Sequence, residues 1–149
     1  MTNYGRSIRL SFYRASDGLR VMFFGPLYAD FASLQRCFRK IAASTVPVQM
    51  DTEDFIVAFS GIKIRALSSG AMLDISKIRQ GFHSSANSAT HFQWACTNER
   101  WEYLAELIDG LIESTVPGHL YLTHFPDEDA IVVVSKGEYS DSVLSAFTE

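Results

Sequence analysis

The chain has 149 residues, 47% of them hydrophobic and 20% charged, with 13 Lys and Arg against 17 Asp and Glu for a formal balance of −4. These proportions exclude intrinsic disorder and suit one respectable core or two small, tightly joined halves. The longest apolar runs, such as Val21–Phe24 and Ile131–Val134, fall far short of the ~20 residues that a membrane-spanning helix needs.

Met1-Thr2-Asn3-Tyr4-Gly5-Arg6 carries an arginine but no following apolar segment of the length a secretory signal uses, and there are only two cysteines, Cys37 and Cys96. The expectation is a cytoplasmic protein without a disulfide framework. Ile8–Tyr13 alternates apolar and polar residues as a strand does, Ala15-Ser16-Asp17-Gly18 supplies a turn, and Leu19–Phe24 returns. Gly25-Pro26 breaks that strand, Asp30 or a neighbour opens a helix, and Ser44-Thr45-Val46-Pro47 closes it, because proline disfavours a helical residue before it. Phe55–Leu67, interrupted at Ser60-Gly61, reads as a hairpin or bulged strand, with Ser68-Ser69-Gly70 as a joint. Beyond it, Met72–Ile78 and His91–Ala95 read as strands joined by a polar loop over Gln80–Thr90. A second helix, an extended segment around His119 and a strand at Ile131–Val134 follow, and Tyr139–Glu149 is expected to cap the sheet as a short helix.

The chain also matches itself. Ser44-Thr45-Val46-Pro47 recurs as Ser114-Thr115-Val116-Pro117, seventy positions on. At that offset Phe31, Leu34, Cys37, Phe38 and Ile41 fall opposite Trp101, Leu104, Leu107, Ile108 and Leu111, all at helical spacing. After a five-residue insertion, Asp54–Ser60 matches Asp129–Ser135. The expected fold is α+β: two tandem pseudo-symmetric units, about 5–69 and 71–139, packed as one domain over 1–149. Each unit is a strand pair, one helix and further antiparallel strands.

Charge divides at the joint. Residues 1–70 hold nine Lys or Arg and five Asp or Glu, a balance of +4, whereas residues 71–149 hold four and twelve, a balance of −8. On the second helix Glu99, Glu102, Glu106, Asp109 and Glu113 fall within about 80° of arc, opposite an apolar side made of Trp101, Leu104, Leu107, Ile108, Leu111 and Ile112. Such a stripe is either a solvated face or, with Asp127, Glu128 and Asp129, an acidic surface that draws in a basic partner. Nucleic acid is not expected as that partner, since its phosphates would be repelled.

Signatures of catalysis are absent: no Gly-x-Ser-x-Gly, phosphate-binding glycine loop or His-Glu-x-x-His occurs. His119 and His124 are five apart, which in an extended segment puts them on opposite faces, so no metal or other cofactor is expected. Cys37 reads as a small core residue. Cys96 stands just before the second helix, where its thiolate would feel the positive end of the dipole. His119 and Tyr121 share a strand face and offer an imidazole beside a phenol.

The run Gly118-His119-Leu120-Tyr121-Leu122, the acidic turn Asp127-Glu128-Asp129, the strand Ile131–Val134 and Gly137-Glu138-Tyr139 together resemble the C-terminal part of small α+β immunity proteins of bacterial polymorphic toxin systems. The likeness covers about 20 residues, a length set beside the stretch from Gly118 to Tyr139. It implies a non-catalytic cytoplasmic protein that binds a cognate toxin tightly. On that reading the helix and loop carboxylates attract the partner, and Tyr121 and Tyr139, with His119, anchor it. The rival is a small enzyme or ligand-binding domain with a site between the repeats using His91, His119 and Cys96. A homo-oligomer is a third possibility.

Overall fold

The computed structural model describes residues 5–71, 78–85, 88–123 and 127–139. The first half contributes β1 (Ile8–Ala15), β2 (Gly18–Gly25), α1 (Phe31–Ala43), β3 (Val48–Gln49), β4 (Ile56–Ala58) and β5 (Lys63–Leu67). The second contributes β6 (Gly81–Ser84), β7 (His91–Ala95), α2 (Asn98–Glu113), β8 (Gly118–Tyr121) and β9 (Ala130–Lys136). Among the described residues, no helix is long and apolar enough to cross a membrane.

The class is α+β, and the two halves exchange strands. Five strands form one sheet in the order β4-β1-β2-β9-β8, and four form the other in the order β3-β5-β7-β6. Each hairpin therefore lies beside the last strands of the other half: β2 runs parallel to β9, and β7 runs parallel to β5. Within each half the closing pair is antiparallel, β3 with β5 and β8 with β9. Val48 pairs with Ala66, and Gly118 pairs with Lys136 seventy positions on. The partner of β9 in the repeat is thus β5, with no insertion between the copies, and not the Asp54–Ser60 segment that resembles it in sequence. Branched apolar strands look alike in composition, and only hydrogen bonding assigns them. β4 is an addition that runs parallel to β1 at the edge.

The repeat is clearest where the helices end. Ser44 Oγ donates to the carbonyl of Val46 at 2.6 Å and accepts from its amide at 3.1 Å, and Ser114 makes the same two bonds with Val116 at 3.0 and 3.2 Å. At the other end, Asp30 caps α1 by accepting from the amide of Ser33, and Thr97 caps α2 by accepting from Arg100.

A single core joins both sheets and both helices. Trp94 on β7 lies 4.8 Å from Trp101 on α2 and 5.9 Å from Phe38 on α1 by ring centroid, and Phe23 on β2 reaches it from the first sheet. The Trp101 indole donates to the carbonyl of Leu67 at 2.8 Å, which satisfies its only polar atom inside the core. Gln35 on α1 donates to the carbonyl of Ala105 at 2.9 Å and to the carboxylate of Asp109, crossing between the helices.

Two readings of the second half change. The stretch Gln80–Thr90, expected as a loop, contains β6, whose Phe82 and His83 are buried. It pairs antiparallel with β7, Phe82 opposite Trp94, and the carboxylates described below bond its other edge, so its small polar composition hid it. The strand expected over 72–78 lies, but for Ile78, outside the described residues, as does, but for Tyr139, the helix expected over 139–149. Ile78, the last residue of that expected strand, is not extended.

Candidate partner-binding site

Glu99, Glu102, Glu106, Asp109 and Glu113 all project from the exposed side of α2. Trp101, Leu104, Ala105, Ile108 and Leu111 bury the opposite side, while Leu107 is half-buried and Ile112 is exposed. Among the described residues, no Lys, Arg or His forms an ion pair with any of the five. Asp109 alone is engaged, by the amide of Gln35. On α1 the corresponding Arg36 and Arg39 are exposed; Arg36 bonds to the hydroxyl of Ser33 on its own helix.

The acidic loop before β9 divides differently. Asp127 is exposed and lies near Arg79. Glu128, half-buried, and Asp129, exposed, both reach β6: Glu128 accepts from the amide of Phe82 and Asp129 accepts from the amide of Ser84, each at 2.8 Å. The amide of Asp129 donates to the carbonyl of Phe82 at 2.9 Å, so this loop stands in for a missing strand along the open edge of β6. Gly81 has φ +101°, and a Cβ there would sit 2.9 Å from Glu128 Cγ, so glycine lets the carboxylate come this close. The attraction of a partner, expected of all three loop acids, is therefore shared with an internal bonding task in two of them. Sequence gave no sign of this, because the amides they serve lie more than forty residues away.

His119, Tyr121 and Tyr139 come together on the side of the five-stranded sheet that faces away from the core. With Tyr13, Arg20 and Glu138 they line a depression of about 220 Å³. The rings of His119 and Tyr121 meet edge to face at 5.2 Å. Tyr121 is 55% exposed, whereas Tyr139, expected as a second exposed anchor, is half-buried against Phe24, with its hydroxyl directed at the sulfur of Met22. Burial alone would raise the Glu138 pKa, but the hydroxyl of Ser135 and the imidazole of His119, at 2.9 Å, outweigh it and hold the carboxyl below its usual range. Arg20, gripped by Asp17 at 2.8 Å and bonded to Tyr121, is held above its ordinary pKa. Arg20 and Glu138 were not legible as members of this group; only the Asp17-to-Arg20 spacing across the first turn hinted at an ordered arginine.

The Glu138 carboxylate sits between the Ser135 hydroxyl and the His119 imidazole. A proton cannot pass from that serine to that histidine as a nucleophile and its base require. Ser135 is also buried. This group can hydrogen-bond and stack against a partner. Because it faces outward from a sheet and the α2 carboxylates face outward from a helix, the residues expected to form one patch occupy two faces.

The rival set does not converge. His91 lies on the four-stranded sheet near Lys63 and Arg65, lining a depression of about 290 Å³, and His119 lies on the other sheet. Cys96 is 4% exposed, and burial first, then Glu128, pushes its thiol up to about 12, which overrides the expected helix-dipole effect. Cys37 is likewise buried and pushed up to about 12, chiefly by desolvation. Among the described residues no His, Cys, Asp and Glu cluster has the makings of a metal site, and His124 lies outside them. A third depression, of about 550 Å³, runs along α1 beside Arg6, Arg36, Lys40 and Glu53, and Lys40 and Glu53 pair across it at 2.8 Å.

A scan against protein-family models and a search of curated proteins both find no match for this chain.

Proposed function

We propose that this chain is a non-catalytic binding protein of the immunity type, acting in the cytoplasm, that neutralises a cognate toxin by engaging a basic surface through the carboxylates of α2. One observation carries the reading: five acids share one exposed side of a 16-residue helix and none is paired with a cation among the described residues. Like charges three or four apart on a helix cost about 0.2–0.5 kcal/mol a pair, so four adjacent pairs cost about 1–2 kcal/mol. That cost is offset when a cationic partner covers the face, and long-range attraction to it speeds encounter. The aromatic depression around His119 and Tyr121 offers the residue types that concentrate binding energy, on a second face.

The test is protection in cells. Any large secreted toxin found encoded next to the gene for this chain is expressed with the wild-type chain and with Glu102→Lys/Glu106→Lys. Growth restored by the wild type and at least partly lost with the charge-reversed variant, at equal soluble level, supports the reading; equal protection by both removes α2 from it.

A further inference from the structure

The four sheet edges are treated unequally. β1 is covered by β4, through Ile8 donating to Phe55 and Phe59 donating to Leu10. β6 is covered by the carboxylates of Glu128 and Asp129, and β3 and β4 are only two and three residues long. β8 is the exception. Its four residues end the five-stranded sheet, and the bond from the amide of Leu122 to the carbonyl of Val132 fixes the alternation along it. Leu120 must therefore face β9 with both backbone groups, and the N–H and C=O of His119 and Tyr121 must point away. Among the described residues neither of those amides has a partner, and both side chains are exposed.

α2 runs beside this edge along its whole length. Arg100 donates to the carbonyl of Leu122 at 3.0 Å just past one end of β8, and Gly118 at the other end lies against Leu111. Turning from that flank of the helix toward solvent, at 100° per residue, one meets Tyr103, which is 48% exposed, and then Glu99 and Glu106. A strand laid against β8 would have its side chains within reach of this acidic flank.

We infer that β8 is a docking edge that accepts an extended, basic segment of a partner as a sixth strand, main chain to main chain at His119 and Tyr121. The inference rests on the reading of α2 as a recognition face. Charge selects the occupant: a lysine-bearing strand meets the carboxylates beside the edge, whereas a second copy of this chain would bring two such helices together and be repelled.

The probes are two blocked peptides of about six residues, one alternating Lys with Val and one alternating Glu with Val. Amide exchange and chemical shifts are followed residue by residue in the full chain. The Lys–Val peptide is expected to slow exchange at the His119 and Tyr121 amides by about tenfold or more, and the Glu–Val peptide is expected to leave them unchanged. His119→Pro, which removes an outward N–H and no β8–β9 bond, should abolish the protection read at the Tyr121 amide. The wild-type measurement stands without the proline variant should that variant misfold. No protection at these amides overturns the inference, and if the peptide shifts only α2 resonances, the edge fails while the α2 reading survives. Protection by both peptides alike, or undiminished by Glu102→Lys/Glu106→Lys, overturns the basic occupant and counts against the α2 reading as well. Concentration-dependent protection without any peptide assigns the edge to a second copy and overturns it too.

Discussion

Lys136 and Ser68 do the same work in the two halves. The Lys136 ammonium donates to the carbonyl of Ser114 at 2.7 Å, and the Ser68 hydroxyl donates to the carbonyl of Ser44 at 3.0 Å, seventy positions earlier. Each ties the end of a helix to the strand that closes its half. Lys136 is buried and also serves the carbonyl of Leu111. Lys136→Met leaves both helix-end carbonyls without a donor and should lower stability by about 1.5–3 kcal/mol, read from the urea midpoint at constant slope. A shift no larger than that of an exposed substitution would mean that water replaces the ammonium freely.

Trp101 is the second test of the core. Trp101→Phe retains most of the packing against Trp94 and Phe38 but removes one of the two donors to the carbonyl of Leu67, leaving only the amide of Cys96 at 3.0 Å. The expected cost is about 0.5–1.5 kcal/mol from the lost bond, with the lost ring area added to it. Trp101→Ala should cost about 3–5 kcal/mol. Thermal unfolding of both variants checks the order.

Cys37 and Cys96 are buried with thiols pushed up to about 12, so at neutral pH neither is a thiolate. In the folded protein both should resist a thiol reagent such as dithionitrobenzoate, and both should react promptly in denaturant. Fast labelling of Cys96 in the native state would contradict its burial beside Glu128 and reopen a nucleophilic role.

Glu138 links pH to the aromatic depression. Its folded pKa lies below the ordinary carboxylate value because the bonds from Ser135 and His119 prevail over burial. A lowered folded pKa means that its contribution is fully present above the unfolded pKa and is lost as pH falls through the folded one. The stability difference between wild type and Glu138→Gln should therefore be largest near neutrality and shrink on acidification below the ordinary range of glutamate. A difference constant with pH would show that the carboxylate's charge is not what matters.

Much of the fold was legible because it rests on local rules. The Asp17-Gly18 turn, the Asp30 cap, the helix-ending Ser-Thr-Val-Pro copies and the period of α2 all act within a few residues, and each stands where expected. What was hidden depends on distant pairs. β6 pairs antiparallel with β7, and Glu128 and Asp129 bond the amides on its other edge, while the exchange of strands between halves is decided by which β-edges meet. The exposed helix acids were readable from spacing alone. The separation of His119 and Tyr121 onto another face was not, since their strand's place in the sheet is fixed by β9 and β2.

The decisive measurement is the rate of association with a toxin that the chain protects against in cells, followed by stopped flow across ionic strength for wild type and Glu102→Lys/Glu106→Lys. The wild-type rate should fall steeply as salt rises, and the charge-reversed variant should bind more slowly with a flattened salt dependence while its unfolding transition is unmoved. Identical rates and identical salt slopes for the two proteins would contradict the α2 reading.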